Sequence, residues 1–267
     1  MKIPKYLTFW LANFLMDRST RLVNKCEAGD LLFLSKGLPQ GSPLSPILFV
    51  LFTSDLIDEL AALIPTTSYA DDIFIYTADI SVSKNIDRLK DAFNVANRWG
   101  NKNMMSFVHK KTVLIHFSHS KTQEVLNSFV MNLWGKNIRP RKEIYFLGVY
   151  FDTQLTWETH LQWVAKRAEA KWNFFVHRSR SLGHLTYNTR RTLYKGVIDP
   201  VFTYCAVEWH DATSSRFVPI EKAMYKMCRQ ICGAMDKTKR STSITEAGLI
   251  PIRIRVETVA RTHLAKK

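Results

Sequence analysis

The 267 residues include 46% apolar side chains, enough for a sizeable core or for one large domain with an appendage. Lys and Arg number 38 against 23 Asp and Glu, a formal charge of +15 that favours polyanions such as nucleic acid or an anionic membrane surface. Four scattered cysteines (Cys26, Cys205, Cys228, Cys232) exclude a disulfide framework, and no run approaches the 18 apolar residues that a membrane-spanning helix needs.

The first residues imitate a signal peptide, with Lys2 and Lys5 before an apolar run, but Asp17, Arg18 and Arg21 follow where a small-residue cleavage site belongs. Pro4 with Tyr6, Phe9, Trp10 and Phe14 predicts an amphipathic helix instead. Arg21–Cys26 and Leu31–Leu34 are expected to pair around a turn at Glu27-Ala28-Gly29-Asp30. A segment rich in turn residues, 36–43, leads to a helix over 47–63, capped by Ser45 with Pro46 in its first turn. That helix is apolar on several sides, which predicts deep burial. Thr66–Tyr69 and Ile73–Tyr76 bracket an Ala70-Asp71-Asp72 corner as a short hairpin. Ser83 is expected to cap a helix carrying Ile86, Leu89, Phe93 and Ala96. Strands are expected at Thr112–Phe117 and Glu143–Phe151, and the hairpins imply an antiparallel sheet covered on one face.

From about residue 153 the pattern turns wholly helical. Thr156 is expected to cap a helix with Leu161, Val164, Ala168, Trp172 and Phe175 as its core stripe. Further helices start near Asn188 and near Phe217, the latter ending at Gly233. Residues 166–195 hold eight basic side chains, among them Lys166, Arg167, Lys171, Arg178 and Arg180, against the single acid Glu169. Such a unit suits a nucleic-acid backbone; a solvated helix face is the plainer reading. Cys228 and Cys232 share a helix face, but a four-ligand zinc set is not evident, and they read as small buried hydrophobes.

Asp71 and Asp72 carry the chemistry. Adjacent carboxylates on a regular strand point to opposite faces, whereas on a tight turn both can lean toward one site. Carboxylate oxygens are the ligands that Mg²⁺ prefers, and two such ions can stabilise the attacking and leaving oxygens of a phosphoryl transfer. Asp-Asp is also ordinary turn chemistry.

The run Lys36-Gly37-Leu38-Pro39-Gln40-Gly41-Ser42-Pro43-Leu44-Ser45-Pro46, some thirty residues before Tyr69-Ala70-Asp71-Asp72, resembles the reverse-transcriptase motif that borders the template base and incoming nucleotide. Gly41 allows close backbone approach, and Gln40 offers both donor and acceptor. Lys110-Lys111-Thr112 resembles the family's lysine motif, with Lys111 placed to protonate the leaving pyrophosphate or neutralise its charge. Tyr145-Phe146-Leu147-Gly148-Val149-Tyr150-Phe151-Asp152, then Leu155-Thr156-Trp157 and His160, looks like the primer grip and the start of the thumb. In that reading Gly148 admits the primer strand. Leu193–Pro200 with Tyr204 and Trp209, and Met227–Ala234, extend the similarity to the jockey-like branch of non-LTR (LINE-type) retrotransposons.

The resemblance implies an α+β fold: a partial polymerase palm with fingers over 1–152, then an all-helical, basic thumb over 153–267. It also implies Mg²⁺ (or Mn²⁺) held by Asp71 and Asp72, and Pro39, Gln40, Gly41 and Ser42 beside the nucleotide. Leu147 and Gly148 would grip the primer. The implied partners are an RNA template, a DNA primer and a dNTP, with no membrane and no protein partner evident. The implied location is nuclear or cytoplasmic rather than secreted. One departure stands out. The family's palm carries another metal-binding aspartate on a strand upstream of the Pro-Gln-Gly loop, and Asp17 and Asp30 sit in the wrong context for it. The expectation is therefore an N-terminally truncated polymerase, feeble or inactive by itself, with a nucleic-acid-binding remnant as the alternative.

Overall fold

The computed structural model describes residues 3–24, 27–108, 110–118, 129–133, 135–183 and 185–266. It divides into two compact units, 1–109 and 110–267. Both mix helices with short antiparallel strands, so the α+β expectation holds. The compositional change at residue 153 is internal to the second unit, because the strands before it pack with the helices after it.

In the first unit, α1 (Lys5–Leu15) leads to β1 (Arg18–Thr20), β2 (Val23–Asn24), β3 (Glu27–Ala28) and β4 (Leu32–Leu34). β1 pairs with β4 and β2 with β3, so Glu27-Ala28 is strand rather than the expected turn. The connection at 25–26, with Cys26, lies outside the described residues. α2 (Ser45–Leu63) packs on α3 (Val82–Lys102) and on the hairpin β5 (Thr66–Tyr69) and β6 (Asp72–Ile75). Leu56, Leu60, Ile64, Ala92, Ala96 and Trp99 form the core here, with Ile73 and Ile75 against it.

Two further expectations fail in this unit. α2 is not deeply buried: Leu56 and Leu60 are enclosed, but Ile47, Val50, Leu51 and Phe52 are exposed. Within the unit its neighbours reach only one side, and the C-terminal half takes most of that cover. The cap of α3 is Ser81, whose side chain accepts from the Lys84 N–H at 3.4 Å, rather than Ser83.

In the second unit, residues 112–117 form no strand. They join neighbouring segments by an Ile115–Arg141 bridge and by single bonds such as Ser118 N–H to the Thr153 carbonyl at 3.0 Å. Two hairpins follow: β7 (Met131–Leu133) with β8 (Lys136–Ile138), and β9 (Glu143–Phe146) with β10 (Val149–Asp152). The described strands stay in separate two-stranded ladders instead of one sheet.

The helices are α4 (Glu158–Leu182), α5 (Tyr187–Leu193), a π-helical turn at Tyr194–Ile198, α6 (Asp199–Thr203), α7 (Ala206–Trp209), α8 (Ser214–Cys232), α9 (Arg240–Glu246) and α10 (Ile252–Leu264). α8 ends at Gly233 with φ +68°, as its sequence predicts. Their core is continuous and apolar, with Leu161, Trp172, Ile198, Phe202, Trp209, Phe217, Ile220 and Met224 fully buried. Each such side chain contributes about 1.5–3 kcal/mol of burial free energy. Cys228 lies in this core, where burial pushes its thiol up to about 12 and keeps it an unreactive hydrophobe. Asp199 and Arg255 tie α6 to α10 through a two-oxygen pairing at 2.7–3.2 Å.

Candidate active site

The acidic turn is a two-residue connection. Tyr69 pairs with Asp72, leaving Ala70 and Asp71 at the tip, with Ala70 at φ +52°. A non-glycine residue in the left-handed region is a local strain, of a kind that clusters at functional turns. Ile73 and Ile75 face the core beneath α2 and α3. Alternation along β6 then turns Asp72 to the opposite, open face. Both Asp71 and Asp72 are exposed. Among the described residues no third His, Cys, Asp or Glu joins them in a metal-sized cluster. Two hard, exposed carboxylates are suited to Mg²⁺, which keeps waters and phosphate oxygens in its other positions.

The Pro-Gln-Gly loop belongs to the same unit. Ser45 is the first residue of α2 rather than its cap, and its hydroxyl donates to the Pro39 carbonyl at 2.6 Å. Ser42 N–H reaches the same carbonyl at 3.4 Å, and the Ser42 hydroxyl accepts from Leu44 N–H at 3.3 Å. These bonds close the loop on itself. Gly41 has φ +87° and open space where a Cβ would stand. Arg18 holds the start of the loop, donating to the carbonyls of Gly37 at 2.7 Å and Lys36 at 3.4 Å, and to that of Leu15 at 2.9 Å. Sequence reading passed over Arg18 because nothing local links it to a loop eighteen residues away.

Residues 1–151, more than half of the chain, match the family described as reverse transcriptase (RNA-dependent DNA polymerase). The chain belongs to the reverse transcriptase family. Similar relatives include the RNA-directed DNA polymerases from mobile element jockey of Drosophila funebris, 25% identical over 211 residues, and of Drosophila melanogaster, 25% identical over 244 residues. Those alignments cover 76% and 86% of this chain but only 22% and 25% of the relatives, so the chain spans about a quarter of their length. A Pol polyprotein from the type-1 retrotransposable element R1 4 of Nasonia vitripennis is 27% identical over 141 residues, 51% of this chain and 35% of that protein. The likeness to jockey-like, non-LTR reverse transcriptases read from the motifs therefore stands.

In this member of the reverse transcriptase family, Lys110 and Lys111 are exposed in a turn that opens the second unit. The β9–β10 hairpin also belongs there. Its turn residues, Leu147 (φ +45°) and Gly148 (φ +82°), are both left-handed. A Cβ on Gly148 would lie 2.9 Å from Cε1 of Tyr204. A ring from the helical region thus demands glycine at this position, beside the primer approach expected of it. Asp152 ends the hairpin and closes the turn before α4: its carboxylate accepts from the N–H groups of Gln154, Thr156 and Trp157 and from the Thr156 hydroxyl, at 2.8–3.1 Å. The N-cap position is Trp157 (φ +65°) rather than the expected Thr156, whose hydroxyl reaches the first helical N–H, that of Glu158, only at 3.5 Å. His160 accepts from Tyr150 N–H at its Nδ1, at 3.3 Å, and its buried Nε2 meets no protein partner. Burial pulls its pKa down to about 4, so the ring is neutral at physiological pH.

The basic residues divide in two. Lys166, Arg167, Lys171 and Arg178 are exposed along α4; Arg180 is in the same helix, with its side chain outside the described residues. Arg190 and Arg191 instead serve the fold, donating to the carbonyls of Gln230 and Gly248. Charge counting cannot separate these groups, because the partners lie 40 and 57 residues away. Among the described residues no helix is long and apolar enough to cross a membrane.

Proposed function

We propose that this chain is part of an RNA-directed DNA polymerase of a mobile element. Residues 1–152 would serve as partial fingers and palm with the primer grip, and residues 153–267 as a basic thumb. The observation that carries the reading is the exposed Asp71-Asp72 tip, set on a hairpin within the segment matched to reverse transcriptases. Asp71 would be the main Mg²⁺ ligand and Asp72 the secondary one; bound there, the ion would neutralise charge on the transferring phosphoryl group. Pro39, Gln40, Gly41 and Ser42, closed into a loop by Ser45, would border the dNTP and the template base. Lys111 would give its proton to the leaving pyrophosphate. Leu147 and Gly148 would meet the primer, while Lys166, Arg167, Lys171, Arg178 and Arg180 would lie along the RNA–DNA backbone.

Primer extension on an RNA template with Mg²⁺ tests this reading, using the chain extended upstream to the length of its relatives. Asp71→Asn should reduce extension by roughly 100-fold or more, the scale expected when a main electrostatic contributor to a phosphoryl transfer is lost. Undiminished extension by that variant overturns the metal assignment. A second reading is a catalytically inactive nucleic-acid-binding remnant, which would rest on the exposed cations of α4 alone. Extension by the chain as it stands overturns that reading.

A further inference from the structure

On the outer face of α4, three of the cations that the polymerase reading lays along the backbone alternate with rings to which that reading gives no role. Trp163, Arg167, Lys171, Phe174 and Arg178 recur at spacings of three and four, so they form one stripe about 22 Å long at the helical rise of 1.5 Å per residue. The core stripe of the same helix, Leu161, Val164, Ala168 and Trp172, lies on another face. The outer stripe alternates rings with cations. The Arg167 guanidinium sits over the Trp163 ring at 4.8 Å, and that of Arg178 over Phe174 at 5.9 Å. Phe174 is 59% exposed, an unusual position for phenylalanine in a helix that has an apolar core available.

The stripe continues onto the β9–β10 hairpin. Tyr145 and Tyr150 are cross-strand partners on the face opposite Val149 and Phe151, with ring centroids 4.7 Å apart. Trp163 meets both, at 5.5 and 5.6 Å. Tyr145 is 53% exposed. The acids of α4, Glu158 and Glu169, fall off this stripe; Glu158 accepts from Gln162 and Glu169 pairs with Lys226. Glu143 is the one carboxylate sharing the tyrosine face without the turn-closing bonds that engage Asp152.

Exposed and half-buried rings along one line, two of them (Trp163 and Phe174) accompanied by a guanidinium, suit a ligand with flat π-faces spaced along an anionic backbone. A lipid surface also takes rings and cations, but from opposite faces of a helix, whereas here they alternate along one stripe; duplex nucleic acid keeps its bases stacked inside. We propose that Tyr145, Trp163, Phe174 and their companion cations form a platform on which successive bases of an unpaired nucleic-acid strand stack. This rests on the nucleic-acid reading above and names a feature of the ligand, its exposed bases, which that reading leaves open. Base–aromatic stacking is tolerant of sequence, so the platform would bind a single strand without reading it.

The test measures fluorescence anisotropy of the 267-residue chain with a 15-nucleotide oligothymidine and with an abasic strand of equal length and charge. The expected result is roughly fivefold to 100-fold tighter binding of the base-bearing strand, the range for stacking on one ring or more. Phe174→Leu and Tyr145→Leu alter exposed rings, leave the core untouched and should each reduce that preference. Equal affinity for the two strands, or a preference unchanged in both variants, overturns the platform while leaving backbone binding intact. Failure to bind either strand overturns the platform and the nucleic-acid reading together. Binding to phosphatidylserine vesicles that Phe174→Leu weakens, without any base preference, overturns the platform in favour of a membrane surface.

Discussion

The Tyr204 hydroxyl donates to the Leu147 carbonyl at 2.9 Å while its ring edge fills the space where Gly148 would carry a Cβ. One side chain from between α6 and α7 thus holds both residues of the β9–β10 turn. The arrangement needs a glycine at φ +82° and a ring in contact with it.

Replacing Gly148 should therefore be costly for two separable reasons. Gly148→Ala should destabilise the second unit by about 1–3 kcal/mol, from the left-handed backbone together with the ring contact. In a Tyr204→Ala background the same substitution should cost less, because only the backbone contribution remains. Chemical denaturation of the four proteins checks this, and equal costs in both backgrounds would show that the ring contact carries no strain.

Asp152 joins a strand to a helix through four accepted bonds. Asp152→Ala should lower stability by about 2–4 kcal/mol, since bonds to a charged acceptor are stronger than neutral ones and three backbone donors lose their partner. Thr156→Ala, by contrast, removes one donor to Asp152 and one long accepted bond from Glu158 N–H, and should cost about 1 kcal/mol or less. Thermal midpoints of the two variants check this order; equal shifts would show that the Asp152 carboxylate contributes no more than the single hydroxyl.

His160 predicts a pH dependence. Its folded pKa, about 4, lies below the ordinary 6.5 because the ring is desolvated between Trp163 and Trp209. Between those values the unfolded chain binds a proton that the folded chain does not, so stability falls as pH falls from 6.5 toward 4. The His contribution is fully present above 6.5. Thermal midpoints at pH 7.5 and 5.0 should differ more for the wild type than for His160→Asn, in which this proton uptake is gone. Equal differences would remove His160 as the source.

Exposed and structural cations should separate in solution. Lys166→Ser with Lys171→Ser should leave the thermal midpoint nearly unchanged and flatten the salt dependence of single-strand binding by about 0.7 in log–log slope per lost contact. Arg191→Ser should instead lower the midpoint, because its guanidinium holds the Gly248 carbonyl at 3.0 Å, and should leave the salt slope unchanged. Calorimetry and a salt titration on the same preparations distinguish the two classes.

Wherever the relevant partners were near neighbours, the sequence by itself determined a good deal. Tyr69–Asp72 reads as a hairpin tip because two apolar runs flank polar turn residues, and Gly233 ends α8 because only a left-handed residue closes that helix. The Pro-Gln-Gly run and the acidic turn are long enough as strings to carry the family. Tertiary structure alone decided the rest. Ser45 looks like a cap until its hydroxyl is seen bonded to Pro39, and Asp152 looks like a strand end until it accepts four hydrogen bonds. Apolar residues over 47–63 predict burial, yet the burial of a helix depends on how many sides its neighbours cover. Gly148, Arg18 and Arg191 each answer to groups 18 to 57 residues away. Periodicity records which face a residue occupies, but the group waiting on that face is set by the folded chain.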